Sequence, residues 1–222
     1  TIPGQMNFNS GGGLEDGTFF LLNVQPVMPF KGTDRWTMIV RTIVPSASTP
    51  GPEATRVTGT GDIQEQIYLT PSKGGSFTWG AGPVLSMPTA TTAAMQTGSW
   101  AAGPTFVALM MPGPWVVGAV VNNVWTFADS GSATKVNQFL LQYFINYNLP
   151  NGWYLNSSPI LTDDWKAEGG EKWTVPIGGG VGKIFRVGRQ PMNGQVGAYY
   201  NAEKPSGGPD WQLRLMLVLM LP

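Results

Sequence analysis

The residues of this chain able to do chemistry fall into a few groups. Gly178-Gly179-Gly180-Val181-Gly182-Lys183 has the composition of a phosphate-binding loop. Such a loop needs a helix after its glycines and Ser or Thr after its lysine. Here Ile184 and Phe185 follow with no helical pattern. The glycines therefore read as strand positions that admit a bend or a bulky neighbour. The acids Asp163, Asp164, Glu168 and Glu171 cluster in one stretch. Carboxylates so grouped could hold calcium, but the plainer reading is a solvated loop, as for Glu15 and Asp16. His and Cys are absent from all 222 residues. That excludes disulfides, Cys- or His-ligated metals, Cys nucleophiles and every Ser–His triad. Hydrolysis would need a Ser–Lys or carboxylate site, and no catalytic, cofactor or metal site is expected.

The charge balance narrows the class further. Thirteen Lys and Arg offset thirteen Asp and Glu, and charged residues make up 12% of the chain. That is about half the share usual in a soluble domain. A nucleic-acid partner would need a basic field that this composition lacks. With nine Trp, a water-exposed surface would be poorly hydrated. A membrane-spanning helix needs about 20 consecutive apolar residues. The longest clean apolar run is Leu215 to Leu221, and Phe106 to Val121 is broken by Pro112, Gly113 and Pro114. The start, Thr1-Ile2-Pro3-Gly4, has neither basic residues nor an apolar core and reads as a processed form. The lack of Cys suits an oxidising compartment.

What must position these groups is a series of strands. Runs of about 10 residues, rich in β-branched and aromatic types, alternate with Gly/Pro/Ser/Asn/Asp clusters. They predict twelve strands at residues 3–9, 18–30, 35–45, 60–71, 76–88, 100–111, 114–128, 136–149, 152–165, 172–185, 194–203 and 210–221. Short links at 31–34, 72–75, 112–113 and 150–151 alternate with longer ones at 10–17, 46–59, 89–99, 129–135, 166–171 and 204–209. The link 186–193 carries turn signals at Gly188 and Pro191. An antiparallel meander with short turns at one end and long loops at the other is the pattern of an outer-membrane barrel. The expectation is one domain, residues 1–222: an all-β, antiparallel up-and-down transmembrane barrel with short periplasmic turns and long extracellular loops.

Two further patterns agree. Trp36, Trp79, Trp115 and Trp153 follow short turns, while Trp100, Trp125, Trp165, Trp173 and Trp211 adjoin long loops. Two aromatic belts at the membrane–water boundaries would produce that placement. In the last strand Trp211, Leu213, Leu215, Leu217, Leu219 and Leu221 share one face, opposite Gln212, Arg214, Met216, Val218 and Met220. One face is uniformly apolar and the other mixed, as lipid outside and a lumen inside require.

The same alternation predicts the lumen-lining polar residues: Arg41, Asp62, Gln64, Gln66, Gln138, Gln142, Asn146, Glu203 and Arg214. In a lumen such groups either line a water path or pair to close it. Leu140, Phe144, Met216, Val218 and Met220 share the inner face, which predicts a narrow, partly apolar lumen. Two positions resist the pattern. Glu65 shares the outer face with Ile63, Ile67 and Leu69, and adjacent Asn122 and Asn123 require one amide to face outward. A bulge near Gly61, or a position close to the membrane interface, would lower the cost of the first.

The second half carries specific motifs. Val121-Asn122-Asn123-Val124-Trp125-Thr126-Phe127 precedes Val136-Asn137-Gln138-Phe139-Leu140-Leu141-Gln142 and Asn146-Tyr147-Asn148-Leu149-Pro150. Gly152-Trp153-Tyr154, Ser157-Ser158-Pro159, Trp173-Thr174-Val175-Pro176-Ile177 and Gly208-Pro209-Asp210-Trp211-Gln212-Leu213-Arg214 follow. Over roughly residues 18 to 215 the chain resembles the bacterial outer-membrane family named for the meta-pathway of phenol degradation. The resemblance implies location in the outer membrane of a Gram-negative bacterium, with lipid and lipopolysaccharide as neighbours. It also implies passage of small, aromatic or apolar solutes. It supplies no accepted set of functional residues. One departure is the end of the chain, Met220-Leu221-Pro222, where such barrels usually close on an aromatic residue. The function expected is a narrow channel or transporter; the alternative is a structural or partner-binding barrel with a plugged lumen.

Overall fold

The computed structural model describes residues 1–11, 17–50, 55–129, 134–169 and 171–221. Glu15 and Asp16 lie outside the described residues. Among the described residues fifteen strands form one antiparallel sheet that closes on itself. They are β1 Ile2–Ser10, β2 Phe19–Val24, β3 Val27–Lys31, β4 Trp36–Pro50, β5 Arg56–Thr60, β6 Ile63–Pro71, β7 Phe77–Met87 and β8 Ser99–Met110. The second half supplies β9 Trp115–Asp129, β10 Asn137–Asn148, β11 Trp153–Ser157, β12 Ile160–Asp164, β13 Trp173–Val187, β14 Gln190–Glu203 and β15 Trp211–Leu219. Three pairs, β2 with β3, β5 with β6 and β11 with β12, are single staves broken by a kink. The barrel therefore has twelve staves. It closes where β1 pairs with β15, from Ile2 opposite Leu219 to Ser10 opposite Trp211. Among the described residues no helix is long and apolar enough to cross a membrane.

The wall is inverted relative to a protein folded in water. On β15, Trp211, Leu213, Leu215, Leu217 and Leu219 are exposed on the outside while Arg214 is 2% exposed inside. On β1, Gln5, Asn7 and Asn9 are buried while Met6 between them is exposed. The inner face is thus largely amides, with a small apolar cluster of Val84, Ala101 and Val124. At the short-turn rim Trp36 meets Trp79 at 6.1 Å, Trp115 meets Tyr147 at 4.7 Å, and Lys183 Nζ lies 4.6 Å over Trp153. At the long-loop rim Tyr200 meets Trp211 at 5.0 Å, and Trp100 and Trp125 are exposed.

Several links are shorter than the residue pattern suggests. The expected link 186–193 is a turn of Gly188 and Arg189 only, with Val187 paired to Gln190. Gly188 has φ +61°, the left-handed conformation a tight hairpin turn demands. Of the expected loop 46–59, most is hairpin: β4 runs to Pro50 and pairs with β5, Ser46 opposite Thr60 and Pro50 opposite Arg56. Ser and Thr in that stretch suit a strand rising beyond the wall into water, where Arg56 ties Ser48 and the Thr18 carbonyl. The long-loop rim is also laced together by Glu171, which accepts from the Ser206 hydroxyl and its backbone N–H.

The two misfits keep their faces. Glu65 does point outward, and Thr42 Oγ1, its cross-strand neighbour, donates to its Oε2 at 2.8 Å. Asn122 faces inward and Asn123 outward, where Asn123 Nδ2 donates to Asn137 Oδ1 at 3.1 Å.

Two outcomes test this arrangement. Leu215→Arg places a charge on the outer wall midway along β15 and is expected to cost roughly 2–4 kcal/mol, read from reversible urea unfolding in lipid vesicles; Leu215→Phe should be nearly neutral. The Ser206 contacts hold the Glu171 carboxyl below the usual carboxylate range. That contact therefore persists above the ordinary Glu value and is lost as pH falls through the lowered one. Limited proteolysis of loop 204–209 should accelerate across that acidic window in the wild type, and Glu171→Gln should show no such pH step.

Candidate functional site

Each of the three kinks in the wall frees a polar group from the ladder, and two of the three reach a lumen arginine. At Gln25–Pro26 the chain turns between β2 and β3, since proline has no N–H to give the ladder. There the Gln25 side chain is buried and accepts a hydrogen bond from Arg41 Nη2. At Gly61–Asp62, between β5 and β6, Asp62 accepts from the Ala90 N–H and the Thr97 N–H, both at 3.0 Å, and from Thr97 Oγ1 at 2.6 Å. At Ser158–Pro159, between β11 and β12, the Ser158 carbonyl leaves the ladder and accepts from Arg214 Nη1 at 2.6 Å.

Two guanidiniums organise the lumen. Arg41 Nη1 also donates to Gln66 Oε1 at 3.3 Å, an oxygen that Tyr68 OH reaches at 2.8 Å. Tyr68 OH continues to Thr105 Oγ1 at 3.1 Å. Arg214 Nε donates to Asn7 Oδ1 at 3.2 Å and Nη2 to Gln212 Oε1 at 2.8 Å. Its guanidinium lies 4.5 Å over the ring of Tyr199, which is fully buried. The acceptors on the two arginines, Gln25, Gln66, Asn7, Ser158 and Gln212, are all neutral. The ion pairs Lys31–Asp34 at 3.4 Å and Lys204–Asp210 at 2.7 Å lie in a turn and at the rim.

Both arginines border one cavity of about 480 Å³. Its polar side includes Gln5, Gln142, Asn146, Asn156 and Gln195. Its apolar side is Val116, Val120, Phe144, Ile184 and Met216. Asn156 is the hub of the polar side: its amide donates to Asn146 Oδ1 at 2.5 Å and its oxygen accepts from Gln195 at 2.6 Å. Gly182 makes room for the neighbouring Tyr154, because a Cβ there would stand 2.1 Å from the tyrosine ring. The glycine run therefore serves side-chain packing inside β13, with β14 and no helix after it. Among the described residues no group of three or more acids could hold a metal ion.

Of the residues singled out from the sequence, Arg41, Gln142, Asn146 and Arg214 border this cavity, and Gln66 holds Arg41. Asp62 instead staples the loop of residues 88–98 to the kink beneath it. Gln64 sits between Ile43 and Ser86, Gln138 is exposed between Val124 and Asp164, and Glu203 is exposed at the end of β14. Gln5, Asn7, Gln25, Tyr154, Asn156 and Tyr199 escaped the sequence reading. The alternation of Gln5, Asn7 and Asn9 with Met6 and Phe8 was a usable signal for three polar positions. Nothing in sequence marks the Ser158 carbonyl as an acceptor for an arginine.

This closed wall, with its apolar outside, polar inside and aromatic rims, defines a β-barrel of the bacterial outer-membrane kind. Solved structures agree on the fold. The COG4313 outer membrane channel from Pseudomonas putida F1 matches with a TM-score of 0.70 at 17% identity, over 99% of this chain and 93% of that one. The NanC porin matches with a TM-score of 0.63 at 10% identity, over the whole of both chains. No family model matches the sequence, and no curated protein matches it.

The Arg214 network makes a stability prediction. Arg214→Ala strands the Ser158 carbonyl and the Gln212 side-chain oxygen, and a buried acceptor left unpaired costs about 1–3 kcal/mol. The expected readout is a lower urea midpoint in vesicles, with Arg214→Lys recovering only part of the loss.

Proposed function

We propose that the barrel is a narrow outer-membrane channel for small amphipathic solutes bearing a negative charge. The single observation behind this reading is the cavity between Arg41 and Arg214, whose two cations, among the described residues, meet neutral acceptors. A guanidinium and a unit negative charge 4 Å apart attract by about 4 kcal/mol at the effective dielectric near a protein surface. The facing wall of Val116, Val120, Phe144, Ile184 and Met216 suits an apolar or aromatic body. A small aromatic carboxylate combines the two features. Eight strands leave an interior that side chains fill, and sixteen or more leave a wide channel, so twelve fit a restricted passage. The motif resemblance to the phenol meta-pathway family supports aromatic or apolar cargo, and channel and porin neighbours support transport over catalysis. Lipid and lipopolysaccharide are the natural neighbours of the outer wall.

A planar-bilayer recording under a salt gradient tests this. The reversal potential should show anion preference, and Arg41→Gln with Arg214→Gln together should abolish or invert it. Benzoate should enter reconstituted vesicles faster than benzylamine. Cation preference in the wild type would overturn the charge assignment. A second reading is a plugged structural or partner-binding barrel, favoured by how fully Arg214, Tyr199 and Gln66 are buried. Insertion shown by a heat-dependent gel shift, with no conductance and no solute flux, would select it.

A further inference from the structure

On the opposite side of the wall stands a carboxylate with no partner. Asp163 is 0% exposed, and neither of its carboxylate oxygens has a hydrogen-bond partner. Its register partners are Phe139 on β10 and Trp173 on β13. Gln142 and Phe144 line the lumen from β10, so by alternation Phe139 faces outward, and Asp163 faces outward with it. Trp165 lies two residues along, on the same face. The three rings form one cluster beside the acid: Phe139 is 6.3 Å from Trp165 and 6.1 Å from Trp173, both edge-on. The cluster sits at the long-loop rim, where the loop 165–172 begins. It belongs to neither arginine network of the lumen.

A bare carboxylate among aromatic rings on a lipid-facing wall is costly unless something donates to it. The surroundings select the donor. A hard divalent cation wants six or more oxygen ligands, and this acid is alone among rings. Aromatic faces attract an organic ammonium. A primary ammonium also has N–H donors for the two open oxygens, which a quaternary one lacks. The outward face and rim position make the donor a lipid head group, its chain running down the exposed apolar wall. We propose that Asp163, Phe139, Trp165 and Trp173 form a site for the primary ammonium of an outer-leaflet lipid. Trp165 is the ring that admits it: it is 48% exposed, stands just past the end of β12, and is latched by its indole N–H to Asn123 Oδ1 at 2.7 Å.

The test uses the full barrel in maltoside micelles, with bound chains counted by native mass spectrometry. Dodecylammonium should bind once per barrel, about tenfold more tightly than dodecyl alcohol of the same chain length, as expected for a cation paired with a carboxylate and ring faces. Asp163→Asn should abolish that preference, Asp163→Glu should retain part of it, and Trp173→Leu should weaken it about threefold. A gel shift on heating confirms that each variant is folded, and the wild-type comparison stands without any variant. Equal binding of the alcohol and the ammonium, or an unchanged preference in Asp163→Asn, would overturn the site. Binding of ethylammonium as tight as dodecylammonium would overturn the lipid assignment in favour of a soluble amine.

Discussion

A strand that crosses hydrocarbon cannot leave its N–H and C=O groups unpaired, and everything else in this molecule follows from meeting that demand. The register between β1 and β15 closes the sheet over nine residue pairs, so that no stave has a free edge in the wall. Closure fixes which residues share a face, and so which groups meet lipid and which meet one another. A slip of one residue at this seam would turn Leu213, Leu215 and Leu217 inward and expel Arg214. The fold, the apolar coat and the polar lumen are one constraint seen from three sides.

Given closure, the interior has to satisfy its own polar atoms, and it does so with amides grouped around two arginines. The arrangement departs from the usual balance of a buried cation against a carboxylate. Neutral oxygens hold the guanidiniums in place without cancelling their charge. The field is therefore left facing the cavity. Had the acids of the chain faced the lumen, the same arginines would have served as struts. Among the described residues Asp62 staples a loop, Glu65 and Asp163 face outward, and Glu171 bridges two loops at the rim.

The kinks show how a regular wall can acquire specific chemistry. A stave continuous through Ser158 would spend that carbonyl on a neighbouring strand. The break at Pro159 releases it to Arg214, and the break at Pro26 similarly brings Gln25 to Arg41. Irregularity costs ladder hydrogen bonds locally, and the interior recovers them as side-chain contacts.

The two-residue period, the turn residues and the placement of nine tryptophans at strand ends determined from sequence alone that the chain is an antiparallel membrane barrel with twelve staves. Those signals are local: strand alternation is set by backbone geometry, and the turns by the conformations that Gly, Pro and Asn permit. Arg41 and Arg214 were legible as inward-facing for the same reason. Their partners were not. Asn7 and Arg214 are separated by nearly the whole chain and meet only because the sheet closes, and Ser158 reaches Arg214 only because a stave breaks. Whether inward charges pair or stand open, and that Asp163 lies beneath Phe139, Trp165 and Trp173, depends on register between strands. Register is settled by the pairing of distant segments, so only the tertiary structure decided it.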